Sequence, residues 1–259
     1  MDRTMGDVQR ALGEQHGELW GLIAGLDDEG WQRASRCEGW DVADVVLHMA
    51  QTEEMALASL DGRLGGDESA GFVKAVAVLG PTATVDDTAA WAVEHERGAP
   101  SAEVAQRWRA VSDQLLARLA DDDSHRRVLW VSGELSAATL AATRLAECWI
   151  HTGDVAEALA VELEPGDRLR HVARLAWRTL PYAFARAGRE LGGPVAFRLH
   201  GPTGEPWDLE PDGEAATVVE GSGVELCLVA ARRVEPADTG LHATGPDARA
   251  VLDLVRTYA

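Results

Sequence analysis

Apolar residues recur every three or four positions along four long stretches of the chain, which is the pattern of amphipathic helices that bury one face. Asp41, Ser101 and Ser136 precede three of these stretches, where a side-chain oxygen favours the start of a helix by accepting a backbone hydrogen bond. The pattern predicts four long helices, over residues 5–26, 41–60, 101–119 and 137–161. Helices of this number and length predict an N-terminal four-helix bundle.

The segment between the second and third helices is different, because glycine and proline interrupt its apolar pattern repeatedly over residues 61–100. Short helical runs, such as one over residues 87–97, are expected within it. We interpret the segment as a long crossover connection. Bundles with such a connection are scaffolds that hold metal sites between facing helices.

The last third of the chain changes character. A fifth helix is expected over residues 168–190, with a bend or restart at Pro181. Short strand-like runs follow at residues 195–199 and 216–219, then a helix with a capping box formed by Ser222 and Glu225, and a last helix that begins at Pro246. The fold class is therefore mainly α, with a bundle over residues 1–165, a connecting helix over 166–191 and a small α+β domain over 192–259.

The composition limits the classes of function. The chain has 24 Lys and Arg against 43 Asp and Glu, a net charge of −19, so its surface repels nucleic acids and anionic membranes. The three cysteines are scattered and indicate neither a disulfide framework nor a metal knuckle. No stretch has the apolar length that spans a bilayer. We therefore expect a cytoplasmic protein, monomeric or homodimeric, that acts on a small-molecule substrate.

Candidate chemistry is concentrated on one face of the fourth helix. At about 100° per residue, Arg144, His151 and Asp154 all project within about 60° of Glu147. Four polar groups on an otherwise Ala- and Leu-rich helix are costly to bury unless they are paired or hold an ion. Glu147 and His151 are one turn apart and can meet one point, and His48 on the second helix is the best candidate for a third ligand.

Ordinary structural roles remain open for each of these residues taken alone. Glu and His four positions apart commonly pair on solvated helix faces. A single histidine such as His48 is often a hydrogen-bonded residue of the core or its boundary. Arg144 would in that case simply neutralise Asp154 or Glu147.

Two segments resemble a known family. Residues 37–48, with the sequence C-E-G-W-D-V-A-D-V-V-L-H, resemble the C-x-G-W-x-V-x-D-V-x-x-H signature of the mycothiol-dependent maleylpyruvate isomerase family, which lies within the DinB/YfiT-like metal-binding superfamily. Residues 144–159 are similar to its R-x-x-E-x-x-x-H-x-x-D-V-x-x-A-L segment. The resemblance extends to the C-terminal α+β region and so spans nearly the whole chain.

The resemblance implies a DinB-like four-helix bundle that holds a divalent metal, usually zinc, through His48, Glu147 and His151. Two imidazoles and one carboxylate leave positions open, as a catalytic site requires. Asp154 or Asp44 would orient a ligand imidazole, and Arg144 would bind a carboxylate or phosphate of the substrate. Arg144 and Asp154 are therefore the candidate catalytic residues beside the metal.

The family also implies a thiol cosubstrate, mycothiol, which a metal activates for isomerisation of a small electrophile or for S-transfer to it. One alternative is a metal-dependent hydrolase, cyclase or other rearranging enzyme of a biosynthetic pathway that uses no thiol. A second is a non-catalytic ligand-binding module. Cys148 is expected to pack in the bundle rather than act as a nucleophile. The substrate, the roles of the C-terminal arginines and that of segment 61–100 stay undetermined.

Overall fold

The computed structural model describes residues 3–64, 72–80, 82–131 and 133–257. Within the chain, two units each have their own internal packing: Met1–Leu163 and Glu164–Ala259. No helix in the described part of the chain has the length and apolar character needed to cross a bilayer.

The first unit is a four-helix bundle, as the apolar pattern predicts. Helices α1 and α3 each pack against both α6 and α7, so the four long helices enclose one core. The elements of this unit are α1 (Arg3–Ile23), α2 (Asp28–Trp31), α3 (Val42–Leu60), α4 (Phe72–Leu79), α5 (Val85–Glu96), α6 (Ser101–Ala120), β1 (Arg127–Trp130), β2 (Gly133–Ser136) and α7 (Ala137–Leu159).

The apolar side chains of the bundle core are those whose spacing in the sequence predicts the long helices. Its fully buried side chains include Leu12, Leu19, Trp108, Leu115 and Leu140, which come from α1, α6 and α7. Burial of a Leu-sized side chain stabilises a fold by about 1.5–3 kcal/mol, so these residues supply much of the force that holds the helices together.

Two of the three predicted N-cap residues are confirmed, and the third is not. Asp41 caps α3 in a reciprocal capping box with Asp44, and Ser136 caps α7, as predicted. Ser101 is instead the first residue of α6, and Pro100 occupies the N-cap position without a side-chain hydrogen bond. The helix begins one residue earlier because the carbonyl of Pro100 already accepts the first backbone bonds of the turn.

Two helices end before the predicted positions. Helix α1 ends at Ile23, not at residue 26, because Asp27 caps the separate helix α2 by accepting from the Gly30 amide at 2.9 Å. Helix α7 ends at Leu159, two residues before Val161, because Ala160 adopts a left-handed conformation with φ 55°. The Val161 amide then donates to the Ala156 carbonyl, so that this carbonyl at the C-terminal end of α7 has a hydrogen bond.

The connections contain structure that the sequence pattern did not show. Strands β1 and β2 form an antiparallel hairpin that the sequence pattern does not predict. Each strand has four residues, which is too short for an alternating pattern to be detected. The predicted short helix of the crossover is α5, which begins at Val85 because Thr84 and Asp87 form a capping box. Residues 65–71 and 81 of this crossover lie outside the described residues.

The second unit is the predicted α+β region. Its elements are α8 (Leu169–Arg178), α9 (Leu180–Arg186), β3 (Val195–His200), β4 (Pro206–Leu209), β5 (Thr217–Ser222), α10 (Gly223–Ala230), β6 (His242–Thr244) and α11 (Ala248–Leu254). The sheet order is β4-β3-β5-β6, with a parallel central pair of β3 and β5 and antiparallel outer strands. The two predicted strands are this central pair, whereas β4 and β6 were not predicted.

The helices of the second unit confirm the restart at Pro181, which lies in the first turn of α9. The expected helix therefore divides in two and ends at Arg186 rather than at residue 190. Ser222 caps α10, but the Glu225 carboxylate accepts from the Gly240 amide instead of completing a capping box. The last helix begins at Ala248, two residues beyond Pro246, because the Asp247 amide is engaged by the Thr217 hydroxyl.

Candidate metal centre

Three side chains from two helices of the bundle meet at one point. His48 of α3 places Nε2 3.0 Å from Oε1 of Glu147 on α7, and His151 Nε2 lies 3.6 Å from the same oxygen. The possible ligand atoms of the three residues all lie within 4.8 Å of one another. The three predicted metal ligands are therefore brought together by the fold.

Local helix geometry explains this convergence. Glu147 and His151 are separated by one helical turn, so both side chains leave the same face of α7. Helix α3 packs against that face and presents His48 about two turns after Asp41, its N-cap residue. All three residues are buried, with exposed fractions of 6% for His48, 7% for Glu147 and 8% for His151.

The ionisable side chains of the site shift one another's pKa values. Burial alone would favour the neutral Glu147, but contacts with His151 and His48 and the charge of Arg144 hold the pKa of this carboxyl well below its usual range. Burial lowers the pKa of His48. The pKa of His151 is raised well above its usual value, because its interactions with Asp154, Cys37 and Glu147 outweigh its burial.

The second nitrogen of His151 is held by Asp154. His151 Nδ1 lies 3.0 Å from Asp154 Oδ2, and Asp154 is almost completely buried. A carboxylate in this position fixes the tautomer of an imidazole so that Nε2 faces a metal. Asp44 is not in such a position, because its carboxylate accepts two hydrogen bonds from Arg97 and caps α3.

A tight turn before α3 brings a thiol to the same carboxylate. The Trp40 amide donates to the Cys37 carbonyl at 3.0 Å, and Gly39 between them has φ 77°, a conformation that glycine adopts without strain. The Cys37 thiol, half-buried, donates to Asp154 at 3.5 Å, and Trp40 packs at 5.1 Å from the His48 ring. The C-E-G-W segment therefore supports both histidines.

Arg144 lies beside the three ligands with an exposed fraction of 4%. Its Nη2 is 3.7 Å from Glu147 Oε2, and its guanidinium carbon lies 5.3 Å from the ring centroid of Trp130 on β1. Two further nitrogens, Nε and Nη1, are buried and have no hydrogen-bonding partner among the described residues. The buried Arg144 guanidinium therefore keeps N–H donors that can bind an anionic group of a ligand.

The donor set fits a divalent cation such as zinc. Two imidazole nitrogens and one carboxylate oxygen form a common catalytic zinc set, and one cation between them would bind all three ligand atoms. Asp154 supplies the outer carboxylate that such sites use to orient a histidine. The residues present therefore fit the metal that the sequence implies.

Sequence reasoning did not assign roles to three residues of this site. Cys37 and Trp40 belong to the recognised motif, but only the turn geometry shows what they contact. Trp130 lies on the hairpin that the sequence did not predict, so its contact with Arg144 had no detectable signal. Cys148 is fully buried, as expected, and burial raises the pKa of its thiol.

Comparison with protein families agrees with the motifs. Residues 12–156 match the family model described as "Mycothiol maleylpyruvate isomerase N-terminal domain". This range is more than half of the chain and contains His48, Glu147 and His151.

Comparisons over the whole chain give the same relation. Two proteins of Mycobacterium tuberculosis, from strains CDC 1551 / Oshkosh and ATCC 25618 / H37Rv and both named as uncharacterized, are 31% identical over 244 residues, which cover 93% of this chain and 91% of theirs. Two crystal structures of a mycothiol-dependent maleylpyruvate isomerase, one of them of a mutant, superpose with a TM-score of 0.59 at 17% identity. They cover 93% of this chain and 92% of theirs, which shows a shared fold.

Proposed function

Because the chain belongs to the mycothiol maleylpyruvate isomerase N-terminal domain family, we propose that it is a metal-dependent enzyme that uses a low-molecular-weight thiol, mycothiol. The proposed reaction is isomerisation of a small electrophilic substrate or S-transfer to it, catalysed in the cytoplasm by a monomer or homodimer. The observation that carries this proposal is the convergence of His48, Glu147 and His151 on one point.

The three ligands would hold a divalent cation, zinc in our proposal, at the centre of the bundle. Such a cation lowers the pKa of a thiol or water that binds to it and so makes a nucleophile available at neutral pH. Glu147 would contribute negative charge to hold the cation. Asp154 holds His151 by its Nδ1 at 3.0 Å, which would leave Nε2 to bind the cation.

Arg144 would bind and orient the substrate. Its guanidinium is buried and rests against Trp130, and two of its nitrogens have no hydrogen-bonding partner in the part of the chain that the structure describes. A carboxylate or phosphate of the substrate would pair with it, and burial would strengthen the attraction because the surroundings have a low dielectric constant. A substrate that carries an anionic group next to an electrophilic carbon fits this arrangement. Burial of the site also keeps bulk water away from the reacting atoms.

The proposal is tested by metal content and thiol dependence together. Purified protein should contain about one zinc equivalent, and turnover of anionic unsaturated electrophiles should require both the metal and mycothiol. His151→Ala should lose the metal and the activity and keep its helical circular dichroism, because the residue projects from an intact helix. His95→Ala is the matched control, since His95 is exposed and lies on α5.

Specific outcomes would overturn the proposal. Unchanged zinc content in His151→Ala would show that the three residues do not form the metal site. Metal-dependent turnover at the same rate without any thiol would favour a hydrolase, cyclase or other rearranging enzyme. Stoichiometric zinc with no exchangeable ligand would favour a non-catalytic binding module.

A further inference from the structure

A second buried polar cluster lies in the bundle, built from residues that the proposed function does not use. His16 of α1 lies 3.4 Å from Glu53 of α3, and its ring centroid is 5.8 Å from that of Trp108 of α6. Ser112 follows Trp108 by one turn on the same helix and completes the cluster. Their exposed fractions are 1% for His16 and 0% for the other three. An ionisable acid, an imidazole, an indole and a hydroxyl are thus enclosed inside the bundle, out of contact with solvent.

The contacts inside this cluster leave its polar atoms unsatisfied. His16 Nε2 lies 3.4 Å from Glu53 Oε1, a charge contact whose geometry is not that of a hydrogen bond. Both ring nitrogens of His16, both carboxylate oxygens of Glu53, Nε1 of Trp108 and Oγ of Ser112 have no hydrogen-bonding partner among the described residues. Buried polar groups of folded proteins are nearly always paired, so six such atoms together indicate a bound species.

The cluster is separate from the metal centre. Glu53 follows His48 by five residues on α3, which corresponds to a rise of about 7.5 Å and a rotation to a different face of the helix. The other three members come from α1 and α6, whereas the remaining metal ligands come from α7. A ligand of this cluster would therefore not share a coordination sphere with the metal.

The chemistry of the six atoms identifies the kind of ligand. The indole nitrogen of Trp108 can only donate, and the Glu53 carboxylate can only accept when ionised. A metal cation would find two strong ligands, His16 and Glu53, and would be repelled by the indole N–H. A molecule that donates and accepts at the same time satisfies all of the groups, and water is the smallest one that does so.

We infer that His16, Glu53, Trp108 and Ser112 form an internal water-binding site, in which one or more long-lived water molecules bridge the Glu53 carboxylate to the imidazole and to α6. Bridging water satisfies the acid and the imidazole without direct hydrogen bonding between them. It also joins three of the four long helices through a polar contact inside the core.

The test counts internal waters in the zinc-loaded, full-length protein by oxygen-17 magnetic relaxation dispersion. The double variant His16→Phe/Glu53→Met replaces the acid and imidazole by apolar groups and should lose at least one long-lived water per molecule, with zinc content unchanged. Thr88→Val is the matched control, because its buried hydroxyl already donates to the Thr84 carbonyl within α5, and it should lose none. An unchanged count in the double variant would overturn the inference.

A crystal structure of the wild-type protein decides the matter even if the double variant does not fold. Support requires a water oxygen within hydrogen-bonding distance of the Glu53 carboxylate and of at least one of His16, Trp108 and Ser112. A direct His16–Glu53 hydrogen bond with no water beside it would refute the site. So would an anomalous zinc peak between His16 and Glu53, which would identify a second metal site instead.

Discussion

Glu147 is the residue on which the electrostatics of the metal centre depend. Its carboxylate faces His48 at 3.0 Å, His151 at 3.6 Å and Arg144 at 3.7 Å, and all four groups are buried. Burial lowers the pKa of His48, so Arg144 and His151 are the positive partners of Glu147, and His151 also faces Asp154. A bound cation would replace the protons of the imidazoles, and Arg144 would be left to pair with an anionic substrate.

The role of Arg144 is tested by Arg144→Lys. Lysine keeps the charge but loses the planar set of donors and the contact with Trp130, so KM for an anionic substrate should rise about 10- to 100-fold, as expected when charge-assisted hydrogen bonds are lost. Zinc content should not change. The measurements are steady-state kinetics and elemental analysis, and equal losses of zinc and activity would assign Arg144 to the structure of the site.

Cys148 provides a contrasting prediction. Burial raises the pKa of its thiol, so the group stays protonated and unreactive although it is adjacent to Glu147 in the sequence. Cys148→Ser should therefore keep its metal and its activity to within about twofold, at a modest cost in stability from burying a more polar hydroxyl. Loss of activity with zinc retained, measured in the same kinetic assay, would show instead that this thiol takes part in the reaction.

The sequence could predict part of this site because the relevant spacing is local. Glu147, His151 and Asp154 share a helix face, which the helical repeat specifies directly. His48 was a candidate third ligand from its place on the second long helix, and the family resemblance then implied that all three residues bind one metal. The contacts of Cys37 with Asp154 and of Trp130 with Arg144 depend on a turn and a hairpin that pack against α7 from distant positions, and no local pattern encodes them.

At the level of elements, the long helices were predictable and their ends less so. The apolar stripes of α1, α3, α6 and α7 extend over several turns, and this repetition makes the helical period clear. The ends depend on single competing interactions, such as Asp27 capping α2 or Ala160 adopting a left-handed conformation. The four-residue strands β1, β2 and β4 are too short for an alternating pattern to be distinguished from a loop.

One such local interaction, at the end of α6, supports a prediction about pH. Asp122 is buried and accepts from Arg118 at 3.0 Å and from Arg126 at 2.6 Å. Burial alone would raise its pKa, but the two guanidinium groups lower it below the usual value. The unfolded carboxyl has a pKa of about 3.9, so the stabilisation is complete above about pH 5 and is lost as the pH falls through the lower native value.

Asp122→Asn should therefore lower the free energy of unfolding by about 1–2 kcal/mol at pH 7, the lower part of the range for charged hydrogen bonds because both arginines are partly exposed. The difference from wild type should shrink in acid. Urea unfolding at several pH values measures it. Asp113→Asn is the control, since Asp113 is exposed and pairs with Arg109 in the same helix, and an equal effect there would contradict the assignment.

At the scale of the whole molecule, the bundle brings together proposed ligands that are far apart in the sequence. His48 and Glu147 are 99 residues apart, and the crossover and α6 lie between them, yet packing of α3 against α7 brings their atoms to 3.0 Å. The candidate metal centre is thus a product of tertiary packing. All of its residues, including Cys37, Trp130, Arg144 and Asp154, lie within Met1–Leu163.

We therefore expect a fragment of residues 1–163 to fold and to bind zinc without the second unit. The fragment keeps the four long helices and ends after the left-handed cap at Ala160, so no helix of the bundle is cut. It should bind one zinc equivalent, within about tenfold of the full-length affinity, as measured by competition with a chelator. The same fragment with His48→Ala should retain its helical circular dichroism and bind no zinc. A folded fragment that binds no zinc would mean that residues 164–259 contribute to the metal centre, because the three ligands alone would then be insufficient to hold the ion.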